Sequence, residues 1–232
     1  AIAAEHFEKA GELHRACEYF ALAAEHAART FANEMSLEFI ERGLKLATAG
    51  DDKVRWRLLA SRERTLDLQG RRVEQRADVD ALTELAEILG DDELRGEAAY
   101  RRADIAMRTG DYATSEAEAR KAVSIAMRTG ADVLLLLAQT RLATALANQG
   151  RPLEGEQIAQ LGRRRARELG LKRLEVFLLN ALGICSELSG DTGSQLDYLL
   201  QGLALGREID DRRIEAVLYA NAGLILPTST RP

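Results

Sequence analysis

Two interleaved glycine series set the architecture of this chain. Gly70, Gly110, Gly150 and Gly190 stand forty residues apart. Gly50, Gly90, Gly130 and Gly170 keep the same period, and Asp210 takes the next place in that second series. A glycine just past a helix end adopts the left-handed conformation that closes it. Two such stops per forty residues mean two helices per repeat, and hence a stack of helical hairpins. The expectation is an all-α solenoid of about six hairpins, a shape that offers long surfaces for binding.

The residues around each glycine support this punctuation. Gly50-Asp51-Asp52 and Gly90-Asp91-Asp92 end one helix and offer a carboxylate to cap the next. Gly110-Asp111 and Gly190-Asp191 repeat the device, and Pro152 follows Gly150-Arg151, where a missing N–H costs nothing in a first helical turn. The spacing predicts helices over 1–9, 13–30, 34–48, 53–69, 72–89, 92–109, 112–129, 132–149, 152–169, 171–189, 192–209 and 211–226. No linker or low-complexity tract interrupts them, so 1–232 reads as a single domain, with Pro227 to Pro232 as a short frayed tail.

Composition narrows the function classes. Apolar residues make up 46% of the 232 residues, and a net charge of −5 leaves no basic excess for counterion release on nucleic acid. Arginine outnumbers lysine 27 to 5, which suits carboxylate pairing on helix faces. The longest apolar run, Val133 to Ala138, is far too short to cross a bilayer, so no membrane is expected. Cys17 and Cys185 lie several repeats apart and form no disulfide framework, which points to a reducing, cytoplasmic compartment. The alanine start suggests a segment of something longer.

The small and aromatic residues carry a resemblance. Leu182-Gly183 precedes Gly190-Asp191, Ala222-Gly223 echoes it forty residues on, and Phe7, Ala10-Gly11, Ala16, Phe20 and Ala23 fit the same template. In this the chain resembles tetratricopeptide (TPR) repeats in a long-helix form, with the first and last thirds matching best. The usual period of that family is shorter. Arg62-Glu63 and Arg102 also place charge where its template wants small or apolar residues, which predicts a local register shift of one. A narrower resemblance runs through Arg29-Thr30-Phe31-Ala32-Asn33-Glu34 and Leu68-Gln69-Gly70-Arg71-Arg72. It is to the repeat region of large bacterial signalling proteins, which carry an ATPase domain and often a nucleotide cyclase or DNA-binding domain. The resemblance implies a right-handed superhelix that senses a ligand or partner.

Catalytic motifs are missing. There is no phosphate-cradling Gly-Lys-Ser/Thr loop, no Gly-x-Ser-x-Gly, no Cys-x-x-Cys and no His-Glu-x-x-His. His14, Cys17 and Glu18 share a helix face without a fourth ligand, and read as ordinary surface residues. Cys185 reads as core. Arg163, Arg164, Arg165 and Arg167, near Glu154, Glu156 and Glu168, read as a solvated, ion-paired convex face. Gly202 and Gly206 predict close helix packing.

In the family that the chain resembles, the first helix of each hairpin lines the concave face. Carried over by the forty-residue period, that rule gives rungs such as Tyr100–Thr140–Asn180, Arg101–Arg141–Ala181–Asn221 and Asp104–Thr144–Ile184. The expected ligand-binding residues are Tyr100, Asp104, Thr140, Arg141, Thr144, Phe177, Asn180, Ile184 and Asn221. Related repeats use asparagine before the Leu-Gly step to hold an extended peptide, and an amide can donate and accept to one peptide unit. The alternative is that each asparagine bonds its own neighbouring helix. The chain therefore reads as a non-catalytic module, without cofactor or metal, that binds a protein or peptide in the groove. The competing reading is a small-molecule effector sensor controlling an attached ATPase, cyclase or DNA-binding domain. The last helix, with Val217, Leu218, Leu224, Ile225 and Leu226, is expected to offer an apolar face for self-association.

Overall fold

The computed structural model describes residues 2–221. In chain order it places α1 at Ile2–Lys9, α2 at Leu13–Arg29, α3 at Asn33–Leu46, α4 at Asp52–Gln69, α5 at Arg72–Leu89 and α6 at Asp92–Arg108. There follow α7 at Tyr112–Thr129, α8 at Asp132–Asn148, α9 at Pro152–Glu168, α10 at Lys172–Ser189, α11 at Thr192–Glu208 and α12 at Arg212–Asn221. No strand occurs among the described residues. The expected tail from Pro227, and the apolar residues Leu224, Ile225 and Leu226, lie outside them.

Apart from Gly50, both stop series operate as expected. Gly110 has φ 77, and Asp111 N–H bonds the Ala106 carbonyl at 2.9 Å behind it, a geometry that closes α6. Asp210, where the second series lacks its glycine, adopts φ 51 all the same, so the period survives a residue for which the left-handed turn is strained. Asp91, Asp111 and Asp191 cap as expected: their carboxylates accept from Glu93 N at 2.9 Å, Thr114 N at 3.1 Å and Ser194 N at 3.0 Å. Asp51 departs from the scheme. Its carboxylate makes no cap bond on α4. It accepts instead from Thr48 N at 2.7 Å, Thr48 Oγ1 at 2.8 Å and the His14 ring at 2.5 Å. The preceding helix stops early, at Leu46, and the freed segment folds back onto the aspartate.

The described helices fall into two compact units, divided between Ala98 and Ala99 within α6. In the first unit α1 packs on α2, α2 on α3, α3 on α4 and α4 on α5, and α2 also reaches α4. Its core holds Ala16, Phe20, Ala24, Ile40 and Leu58, with a second cluster around Trp56, Leu82 and Ala86. In the second unit each of α7 to α11 packs on the next, and α8 touches α10 as α10 touches α12. The odd helices α7, α9 and α11 stand further apart and meet through long side chains, such as Arg120 with Glu154 and Gln160 with Tyr198. The even helices thus crowd together and share an inner face, as the repeat argument expects of the first helix in each hairpin. Leu136, Leu146, Leu178, Leu179 and Leu182 are buried there or behind it.

Several hairpins are pinned at one equivalent crossing, between residues twelve apart. Ser36 Oγ donates to Ala24 O at 3.0 Å and Ser115 Oγ to Ala103 O at 2.9 Å. At the equivalent Gly155, a Cβ would sit 2.5 Å from the Ala143 carbonyl oxygen. A hydroxyl that bonds, or no side chain at all, lets the helices come this close. The equivalent crossing residues Ala24, Glu63, Ala103 and Ala143 are 39, 40 and 40 residues apart, so the register moves by one on entering the repeat of Arg62-Glu63. Glu63 keeps the same crossing position and accepts from Gln75 Nε2 at 2.6 Å, while Arg62 Nε bonds both carboxylate oxygens of buried Asp78, at 3.1 and 2.9 Å. Charge is accommodated there by pairing at the crossing. Gly202 behaves as expected, because a Cβ on it would meet Leu218 Cδ1 at 3.1 Å, whereas Gly206 has ordinary room.

Candidate functional site

All nine expected binding residues fall in the second unit, on the even helices α6, α8, α10 and α12. Two clusters hold most of them. The first joins α6 to α8. Arg141 forms an ion pair with Asp104, and Asp104 Oδ2 also accepts from Arg108 Nε at 3.0 Å. Tyr100 packs against Ala99, Ala122 and Ala138. Burial alone would push the Asp104 carboxyl up, but the charges of Arg141 and Arg108 hold it below the usual range. Burial pushes the Tyr100 phenol up.

Asparagines form the second cluster. Asn221 Nδ2 on α12 donates to Asn180 Oδ1 on α10 at 2.7 Å. One hydrogen bond leaves Asn180 with its amide donors and Asn221 with its carbonyl oxygen, and no other bond to these groups is made among the described residues. Each asparagine thus bonds its neighbouring helix, and the pair still presents a donor and an acceptor. Phe177, half-buried, lies on the same helix as Asn180, packs beside Val176, Leu199, Leu203 and Leu218, and carries Arg173 5.7 Å from its ring centroid. Ile184 is likewise half-buried.

Thr140 and Thr144 differ from the rest of the set. Both are buried, and both hydroxyls donate within α8: Thr140 to Leu136 O at 2.9 Å, Thr144 to Thr140 O and Arg141 O at 3.0 Å. Their donors are committed to the helix backbone, a common fate of hydroxyls inside helices. Sequence reasoning missed Arg108, whose signal was its place four residues after Asp104, one helical turn away.

The arginine cluster on α9 needs correction. Arg163 does not lie on a solvated face, because it is only 9% exposed. It bonds Glu175 at 3.4 Å and also Gln201, so it ties α9 to both α10 and α11. Arg167 joins the same carboxylate at 2.5 Å, while Arg165 pairs outward with Asp132 at 3.0 Å. The main carboxylate partners lie on neighbouring helices; of the acids close by in sequence, Glu168 meets Arg165 at 3.5 Å. Cys185 is core, its thiol pushed up to about 12 by burial, and Cys17 likewise to about 11. Both are too protonated at neutral pH to serve as nucleophiles. Around His14 no metal-binding group of three or more ligands occurs among the described residues.

No family model and no curated protein matches the sequence. Solved structures do match. The apo form of RapI superposes with a TM-score of 0.70 at 11% identity, over 94% of this chain and 93% of that one. A Podosopora anserina putative kinesin light chain with nearly identical TPR-like repeats superposes with a TM-score of 0.63 at 13% identity, over 84% of this chain and 96% of that one. The fold is a TPR-like helical repeat. At these identities the likeness is one of architecture, and it agrees with the forty-residue hairpins. No TPR-like helix among the described residues is long and apolar enough to cross a membrane.

Proposed function

We propose that this TPR-like chain is a non-catalytic regulatory module that holds an extended peptide segment of a protein partner on the inner face of α8, α10 and α12. The observation that carries the reading is the Asn180–Asn221 pair. It leaves the amide donors of Asn180 beside the amide acceptor of Asn221, groups that can bond the C=O and N–H of a peptide backbone. Phe177 supplies a half-buried aromatic one turn away, of the kind that anchors interfaces. Placement within a larger bacterial signalling protein, in the cytoplasm, belongs to the same proposal. It draws on the resemblance of Leu68 to Arg72 and on two buried free thiols. So does the treatment of the whole chain as one repeat domain, which draws on the unbroken period. Self-association through α12 belongs here too, drawing on Val217, which is 53% exposed.

Selection of displayed random peptides on the full chain tests the function. Enriched peptides should bind at micromolar affinity and lose about tenfold or more with Asn180→Ala or Phe177→Ala. Normal binding by both variants, with loss in Arg164→Ala, would place the partner on another face.

A further inference from the structure

We propose that the turn between α3 and α4 is a two-position element latched by His14. With protonated His14 bonded to Asp51, residues 47–50 stay out of α3. With His14 neutral, Asp51 turns to cap α4 and α3 gains its missing turn.

The next repeat shows the second position. Gly50-Asp51-Asp52 matches Gly90-Asp91-Asp92 residue for residue. There α5 runs to Leu89, Gly90 turns at φ 64, and Asp91 caps α6 through Glu93 N and Leu94 N. On that pattern α3 would run to Ala49. It stops at Leu46 instead, Ala47 is extended at φ −64 and ψ 126, and Gly50 opens to φ 101. Identical stop residues thus hold two conformations, and side-chain bonds that compete with the helix are the cause.

His14 supplies the competing bond from α2. Its ring meets Asp51 Oδ1 at 2.5 Å, while Asp51 Oδ2 accepts from Thr48 N at 2.7 Å and Thr48 Oγ1 at 2.8 Å. The chain's three histidines all precede Thr30, so no later turn has one. The Asp51 side chain is 5% exposed and that of His14 61%, so the imidazole exchanges its proton freely with water while the carboxylate stays nearly buried.

The other ionisable groups around the pair keep their charge state near neutral pH. Glu18, on α2, lies 3.8 Å from the His14 ring and also favours the imidazolium. Cys17, one turn along α2, has its thiol pushed up to about 11. On α4, Asp52 pairs with Arg55 at 3.8 Å. His14 is the group among these that changes charge in the physiological range. Its bond to Asp51 raises its pKa, so the latch is full below the ordinary value of 6.5 and is lost as pH rises through the raised folded value. A neutral imidazole can keep a hydrogen bond but not the charge that makes it strong. Asp51 then gains more from the free N–H groups and the positive end of α4, as Asp91 does on α6.

Amide hydrogen exchange of the full chain, read residue by residue by nuclear magnetic resonance, tests the latch. Among the described residues the Ala49 N–H has no hydrogen-bond partner in the latched turn. In an extended α3 it would donate to the Lys45 carbonyl. At about pH 5.5, where wild-type His14 is protonated, the Ala49 amide of His14→Ala should exchange about tenfold or more slowly than that of wild type. Slower exchange cannot come from loosening or misfolding, so the variant decides even if its stability falls. Raising wild type to about pH 9 should bring the carbon shifts of residues 47–51 to the variant's values, with the midpoint of the His14 ring titration. Unchanged or faster Ala49 exchange in His14→Ala would overturn the proposal. So would wild-type shifts at 47–51 that ignore the His14 titration, or that recur with the same midpoint in the variant.

Discussion

Asn221 and Asn180 are joined side chain to side chain across the inner face, amide nitrogen to carbonyl oxygen at 2.7 Å. The bond ties α12 to α10 where only a few residues of the two helices meet. It should therefore matter to stability as well as to binding. Asn180→Ala is expected to cost about 0.5–1.5 kcal/mol, the usual net value of one partly buried hydrogen bond. Thermal unfolding of the variant reads this loss, and an unchanged midpoint would show that the bond contributes nothing.

The crossing between α8 and α9 makes a sharper demand. A Cβ at Gly155 would lie 2.5 Å from the Ala143 carbonyl oxygen and 3.1 Å from Cys185 Sγ. Gly155→Ala gains helix propensity but must push two backbones apart. Overpacking costs about 1–3 kcal/mol, more than the ~1 kcal/mol that alanine gains over glycine in a helix. Denaturant titration should show net destabilisation. A stabilised variant would mean that the hairpin opens more easily than its geometry implies.

How legible this is in the sequence differs by level. Stops and hairpins are readable because a left-handed turn constrains residue type strongly, and even Asp210 keeps its place. Asp51 misleads because a carboxylate beside a helix start can bond either way, and Thr48 with His14 offers it more than the cap does. Arg163 misleads because its partners, Glu175 and Gln201, lie on other helices. A charge run on one helix says nothing of what faces it across a packing interface. The Asn180–Asn221 pairing is hidden for the same reason: the period aligns their rungs but not their side-chain bond.

The His14–Asp51 contact predicts a pH dependence in the first unit. Its bond to Asp51 raises the His14 pKa, so its contribution is full below the ordinary histidine value of 6.5 and fades as pH rises through the raised folded value. Bonds from Thr48 and His14 lower the Asp51 pKa, so that contribution is full above the ordinary value of 3.8 and fades as pH falls through the lowered folded value. Stability should thus decline on the alkaline side of the histidine range, and His14→Gln should abolish that decline. A pH profile identical in wild type and variant would show that the contact is idle.

The central claim is that the Asn180–Asn221 pair holds a peptide backbone, and nuclear magnetic resonance of the side-chain amides measures it most directly. Titrating a selected peptide into the labelled full chain should shift the Asn180 and Asn221 amide signals in step with saturation, while the Arg164 backbone amide stays in place. Unmoved asparagine signals at full saturation, with shifts confined to α9 or to the first unit, would contradict the account.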